Sequence, residues 1–155
     1  MPKCYQLIGV PGSGKSTWIK NQPWAKDCAI ISTDHYVDAK AEMDGKTYSE
    51  VFKDFMPIAV SLMTDDVIKA REEGKDIIWD QTSTTVASRR KKFQMLPDYE
   101  HIAVVFKTPE TKELKRRLDS RPGKTIPTPV IVQMINGFQM PTKAEGFSEI
   151  KIVGA

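Results

Sequence analysis

Apolar positions along the chain fall into short, near-continuous runs separated by longer stretches with helical spacing. Tyr5-Gln6-Leu7-Ile8, Ala29-Ile30-Ile31-Ser32, Asp76-Ile77-Ile78-Trp79-Asp80 and His101-Ile102-Ala103-Val104-Val105-Phe106 predict four strands, and Ile150-Lys151-Ile152-Val153 a fifth. Between them, helical patterns run from Tyr48 to Glu73, from Val86 to Leu96 and from Thr111 to Ser120. Pro57 leaves open whether the first is one helix or two. Arg121-Pro122-Gly123-Lys124-Thr125-Ile126-Pro127 predicts a turn-rich break, followed by a last helix over Pro129 to Phe138. Apolar strands alternating with helices imply an α/β fold: a parallel sheet of about five strands with helices on both faces. No repeat, low-complexity tract or long linker divides the 155 residues, so a single domain spanning 1–155 is expected.

Composition changes this picture little. With 40% hydrophobic and 28% charged residues the chain reads as an ordinary soluble domain. A net charge of +3 selects no partner by itself. Cys4 and Cys28 share no metal-ligand spacing and are too few for a disulfide framework, which points to a reducing cytoplasm. No apolar run is long enough to span a bilayer, and the start leaves no room for a signal peptide, so no membrane association is expected.

The chemistry begins at Gly9-Val10-Pro11-Gly12-Ser13-Gly14-Lys15-Ser16, a full G-x-x-x-x-G-K-[ST] match, followed by Thr17. A loop that wraps a triphosphate must turn its backbone N–H groups inward and keep side chains away. Glycines at 9, 12 and 14 permit that. The helix that follows aims its positive end at the phosphates. Lys15 should reach the β- and γ-oxygens of ATP, and Ser16 should ligate Mg²⁺. ATP and Mg²⁺ are therefore the expected cofactors, with residues 9 and 11–17 as the binding loop.

Two carboxylates follow strands. Asp34, in Ser32-Thr33-Asp34-His35-Tyr36, would arrive at the same sheet edge as the loop, where it can accept a proton from an attacking hydroxyl. Its alternative is a helix N-cap, a role open equally to Ser32 and Thr33. His35 either contacts the acceptor or serves structure. Asp80, closing the third strand, would complete the Mg²⁺ shell or orient the acceptor, or else cap the next helix. Among the basic residues, Lys91, Lys92 and Lys112 are expected on solvated faces. Arg89 and Arg90 could grip an anionic acceptor. Arg117 and Arg121 share a helical face, beside a lid over about residues 112–140 that would close arginines onto the transferring phosphoryl group.

In combination these motifs resemble the kinase domain of phage-type polynucleotide 5′-hydroxyl kinases, within the wider group of P-loop kinases. The resemblance covers Leu7 to Trp18, Ile30 to Tyr36, Ile77 to Arg90 and Leu114 to Met134. It implies that Lys15 and Ser16 hold donor phosphates and Mg²⁺, that Asp34 is the general base, that Asp80 serves the acceptor side, and that Arg121, with Arg117 nearby, is the lid arginine. It further implies a nucleic-acid substrate. The departures concern the acceptor. Thr33 and Val37 stand where the family has arginines flanking its base, and Ser83 replaces an asparagine after Thr82. No phosphatase motif of the Asp-x-Asp-Gly-Thr kind occurs. The leading expectation is phosphorylation of a polynucleotide 5′-hydroxyl. The alternatives are a hydroxymethylated pyrimidine base in phage DNA, a nucleoside or sugar nucleotide, and a non-catalytic nucleic-acid module that keeps its P-loop as a switch.

Overall fold

A computed structural model describes residues 1–154. Five strands form one sheet, in the order β2-β3-β1-β4-β5: β1 (Lys3–Ile8), β2 (Ala29–Ile31), β3 (Ile77–Asp80), β4 (Glu100–Phe106) and β5 (Phe147–Val153). Every pairing is parallel. Six helices connect them: α1 (Lys15–Lys20), α2 (Asp34–Asp44), α3 (Tyr48–Glu72), α4 (Val86–Met95), α5 (Thr111–Asp119) and α6 (Thr128–Asn136). None of the helices among the described residues is long and apolar enough to cross a membrane.

The near-continuous apolar strands are explained by burial on both faces. Leu7, Ile78, Val104 and Phe106 turn to one face, where Trp18, Ile19 and Trp24 from α1 and the following 3-10 turn cover them. Cys4, Ile77 and Trp79 turn to the other, against Met63, Val67 and Ala70 of α3. Ile8, Ala103 and Val105 continue that second face beneath Phe93 of α4. The central strands β3, β1 and β4 are thus enclosed, and β5 at the edge covers only Phe147, Ile150 and Val153 and exposes the positions between them. It begins at Phe147, three residues before the expected Ile150, because the buried Phe147 ring anchors it.

Two local outcomes matter for the site. The stretch from Tyr48 is one helix that passes through Pro57. It is started by a reciprocal cap in which Thr47 Oγ accepts from the Glu50 N–H while the Thr47 N–H donates to Glu50 Oε1. α2 is anticipated in the sequence only as a helix that Ser32, Thr33 or Asp34 could cap, without bounds. It directs only Val37, Ala41 and part of Tyr36 inward, too few apolar residues to mark a helical period in sequence.

Candidate active site

β1 delivers its loop to the centre of the C-terminal sheet edge. The Gly9 N–H donates to the Thr82 carbonyl at 2.9 Å, which ties the loop to the segment leaving β3. A Cβ on Gly9 would lie 2.5 Å from Ser13 Oγ and 2.9 Å from Phe106 Cβ, so only glycine fits. Gly12 (φ +82°) and Gly14 (φ +105°) hold left-handed conformations that bend the chain around the cradle. Lys15 opens α1 and curls back, its Nζ donating to the carbonyls of Gly9 (2.8 Å) and Val10 (3.2 Å). Burial lowers the Lys15 pKa to about 8, against the opposing pull of the Asp80 and Asp34 carboxylates. Ser13 Oγ is buried and has no hydrogen-bond partner among the described residues. A concave loop with an orphaned buried hydroxyl and a partly desolvated ammonium fits a polyphosphate.

Two carboxylates flank this cradle. Asp80 ends β3 opposite Leu7 of β1. Burial raises its pKa, countered by Lys15. It caps no helix, since α4 starts with Thr85, whose Oγ accepts from the Ser88 N–H. Asp34 is the first residue of α2. Its N–H donates to Ser32 Oγ, and Thr33 occupies the cap position, so the Asp34 carboxylate is left for another partner. That partner is Tyr48, whose hydroxyl donates to Asp34 Oδ1 at 2.7 Å. Burial, and then this bond, push the Tyr48 pKa well above that of a free phenol.

The segment from α5 to α6 overhangs the opposite wall. Arg117 donates from Nη1 to the Gly12 carbonyl (3.0 Å) and from Nε to Glu113. The turn that follows rests on the start of α3. The Ser49 N–H donates to the Gly123 carbonyl at 3.0 Å, and the Thr125 N–H to Ser49 Oγ at 2.8 Å. Lys124 pairs with Asp38 at 3.3 Å and lies 4.6 Å from the Tyr48 ring centre.

One cleft of about 1180 Å³ gathers Pro11, Gly12, Ser13, Gly14, Lys15, Ser16, Thr17, Asp34, Asp80, Arg117 and Arg121. Gly9 lies just behind it, through its bond to Lys15. Such a surface can bind a phosphate chain, hold a divalent cation between Ser16 and Asp80, and present a carboxylate as a proton acceptor.

Three expected acceptor contacts are not brought there. Arg89 is fully buried in an ion pair with Glu145 (Nε–Oε1 2.9 Å) and also donates to the Ser83 carbonyl. A guanidinium committed to a carboxylate inside the protein cannot grip a substrate. This corrects its assignment: Arg89 fastens α4 to the turn before β5. Arg90 is exposed outside the cleft, and His35 is exposed with its ring against Tyr36. Lys92 is not on a solvated face either. It is buried over the Trp79 ring and donates to the Ser88 carbonyl, and desolvation brings its pKa down to about 8. Replacing Glu145 with alanine strands the Arg89 charge and is expected to destabilise the fold by about 3–5 kcal/mol, measured by urea unfolding.

Sequence reasoning missed Tyr48, Phe52 and Met56, which line the cleft from α3. Their i, i+4, i+8 spacing marks a helical face. Nothing in the sequence says that this face meets Asp34.

The fold and this cleft define a P-loop domain of the kinase-like kind. Residues 6–141 match the family described as an AAA domain, and the chain belongs to that family. Among solved structures, a protein of Chloroflexus aurantiacus superposes with a TM-score of 0.71 at 15% identity, covering 98% of this chain and 84% of that one. A chain of the Pnkp1/Rnl/Hen1 RNA repair complex gives 0.68 at 23% identity over 88% of this chain, which spans only 43% of the longer partner. Shikimate kinase of Acinetobacter baumannii gives 0.56 at 15% identity, over 100% of this chain and 85% of that one. These likenesses concern the fold.

Proposed function

We propose that the chain is an ATP- and Mg²⁺-dependent phosphotransferase whose acceptor is a hydroxyl on nucleic acid, with a polynucleotide 5′-hydroxyl end as the leading acceptor. The observation that carries this reading is the convergence of the cradle with Asp34, Asp80 and Arg121 in one cleft, with Asp34 held by Tyr48 and free of any capping role. Similarity in fold to a chain of an RNA repair complex supports a nucleic-acid acceptor.

ATP with Mg²⁺, when bound, supplies the phosphoryl group and neutralises its charge. The protein's part is positioning and electrostatics. The residue 9–17 loop orients the phosphate chain by its N–H groups. Lys15 contributes positive charge, and Ser16 with Asp80 would hold the cation. Asp34 accepts the acceptor's hydroxyl proton at a carboxylate oxygen, oriented by the Tyr48 bond. Arg117 anchors the overhanging segment to Gly12, which leaves Arg121 to face the cleft.

A second reading places the hydroxyl on a hydroxymethylated pyrimidine. One observation favours it: the arginine that could have gripped a strand end, Arg89, is buried, and Val37 beside Asp34 is buried too. Transfer of label from γ-labelled ATP separates the two readings. One substrate is a 5′-hydroxyl oligonucleotide. The other is end-blocked and carries a hydroxymethylated pyrimidine. Free nucleosides complete the set. Label on the first supports end phosphorylation, label on the second the base acceptor, and label on nucleosides alone overturns a polynucleotide substrate.

The lowered Lys15 pKa gives a pH signature. The protonated ammonium is the form that attracts phosphate, so ATP affinity should be full below about pH 7. It should weaken as pH rises through about 8, by at most about tenfold per unit, since one proton is involved. Lys15→Arg does not titrate in this range and supplies the reference. Calorimetric titrations giving identical pH profiles for the two proteins would remove Lys15 from the phosphate site.

A further inference from the structure

Because β1 lies at the centre of the sheet, the cleft extends to both sides of the cradle. Toward β4 and β5 it is walled by Phe106 and Val153, with Val130 and Met134 of α6 above. Toward β3 and β2 it passes Asp80, Thr82 and Asp34 and ends on α3 at Tyr48, Phe52 and Met56. These three residues are spaced by four and form one helical stripe. The Tyr48 and Phe52 rings are 5.6 Å apart at 41°. Phe52 leaves 42% of its surface exposed, a large apolar ring open to the cleft. The same Tyr48 is bonded to Asp34, so the surface next to the proposed proton acceptor is aromatic.

Beyond Lys15, two cations of the cleft are already engaged, and the third, Arg121, is assigned to the transferring phosphate in the phosphotransferase reading. Lys124 is paired with Asp38 and set over Tyr48, while Arg117 is engaged by Glu113 and Gly12 on the far side. A sugar acid or polyol bound here would bring hydroxyl and carboxylate groups against Phe52 and Met56, which return no hydrogen bonds. A nucleobase is flat and offers a π-face of matching chemistry. We infer that Tyr48, Phe52 and Met56 form a nucleobase subsite on the acceptor side, with Phe52 the stacking ring and Tyr48 the link that registers the bound nucleotide against Asp34. The inference rests on the phosphotransferase reading for which arm of the cleft receives the acceptor. The base can belong to a single strand or to a free nucleoside.

The test is equilibrium binding of a dye-labelled single-stranded oligonucleotide by fluorescence anisotropy, with Mg²⁺ and a non-transferable ATP analogue. An abasic strand of equal length and unlabelled nucleosides as competitors run in parallel. Phe52→Ala should weaken oligonucleotide binding by about 5- to 150-fold, the span expected for one stacked base, whereas Phe52→Trp should keep it within about twofold. The abasic strand should bind wild type and Phe52→Ala alike. Displacement by nucleosides at matching concentration assigns the subsite to a free nucleoside, and resistance to them assigns it to a strand. Either result supports the subsite. Equal binding of the base-bearing strand by wild type and Phe52→Ala overturns it, as does wild-type binding that ignores the missing bases. Because Phe52 is exposed, its removal opens no internal cavity, and a thermal melt confirms that the variant is folded. Label transfer by the same protein variants, run separately with γ-labelled ATP in place of the analogue, keeps the two ideas apart. Base-dependent binding without transfer to any acceptor removes the phosphotransferase reading alone. Transfer that is indifferent to Phe52 removes the subsite alone.

Discussion

Asp34→Ala is expected to lower turnover by about 10² to 10⁴ while leaving ATP affinity nearly unchanged. The reasoning is local. Asp34 lies at the start of α2, its N–H is satisfied by Ser32, and its carboxylate accepts from the Tyr48 hydroxyl. One carboxylate oxygen is oriented by the phenol, which leaves the other to receive a proton from an incoming hydroxyl. Asp34→Asn sharpens the test, because an amide oxygen can still accept the Tyr48 bond but the group cannot act as a base at neutral pH. Both variants should fall together in single-turnover transfer. If asparagine retained most of the rate, Asp34 would be an orienting group and the proton would leave by another route. A collapse of ATP affinity in a folded Asp34→Ala protein would instead move the residue to the donor side.

How much of this could be read in advance depends on how local the determinants are. The cradle was legible because glycine positions and the Lys15-Ser16 pair encode a backbone shape directly, and the structure returns that shape at Gly12 and Gly14. The enclosed strands were legible because burial on both faces leaves an unbroken apolar run, as at Ile77-Ile78-Trp79. Asp34 and Asp80 followed from strand ends alone, since parallel strands deliver their C-termini to one edge. The extent of α2 was not legible, because it buries a narrow face made of Val37 and Ala41. Arg89 and Lys92 were misread for a related reason. A run of four basic residues looks open to solvent or to an anionic acceptor when charge is counted along the chain. In the fold one meets a carboxylate 56 residues away and the other an indole face. Tyr48 was hidden differently: it lies only 14 residues from Asp34, and their bond depends on how the turn between α2 and α3 sets the two helices together.

Lys15→Ala should abolish measurable transfer to every acceptor, a loss of at least about 10² to 10³ in turnover accompanied by weaker ATP binding. Two features of the structure make this residue hard to replace. Its ammonium is held over the loop by the Gly9 and Val10 carbonyls, so it is already aimed before any phosphate arrives. It is also the cation whose charge opposes the burial of Asp80, and removing it should raise the Asp80 pKa further. Protons then compete better with a divalent cation for Asp80, so the variant should bind Mg²⁺ as well as phosphate more weakly. Lys15→Arg restores charge without the compact ammonium, and is expected to recover binding more fully than turnover. Retention of transfer by Lys15→Ala on any one acceptor would mean that the donor is held elsewhere in the cleft. Loss of turnover with unchanged ATP and Mg²⁺ affinities would confine Lys15 to stabilising charge during transfer and dissociate it from Asp80.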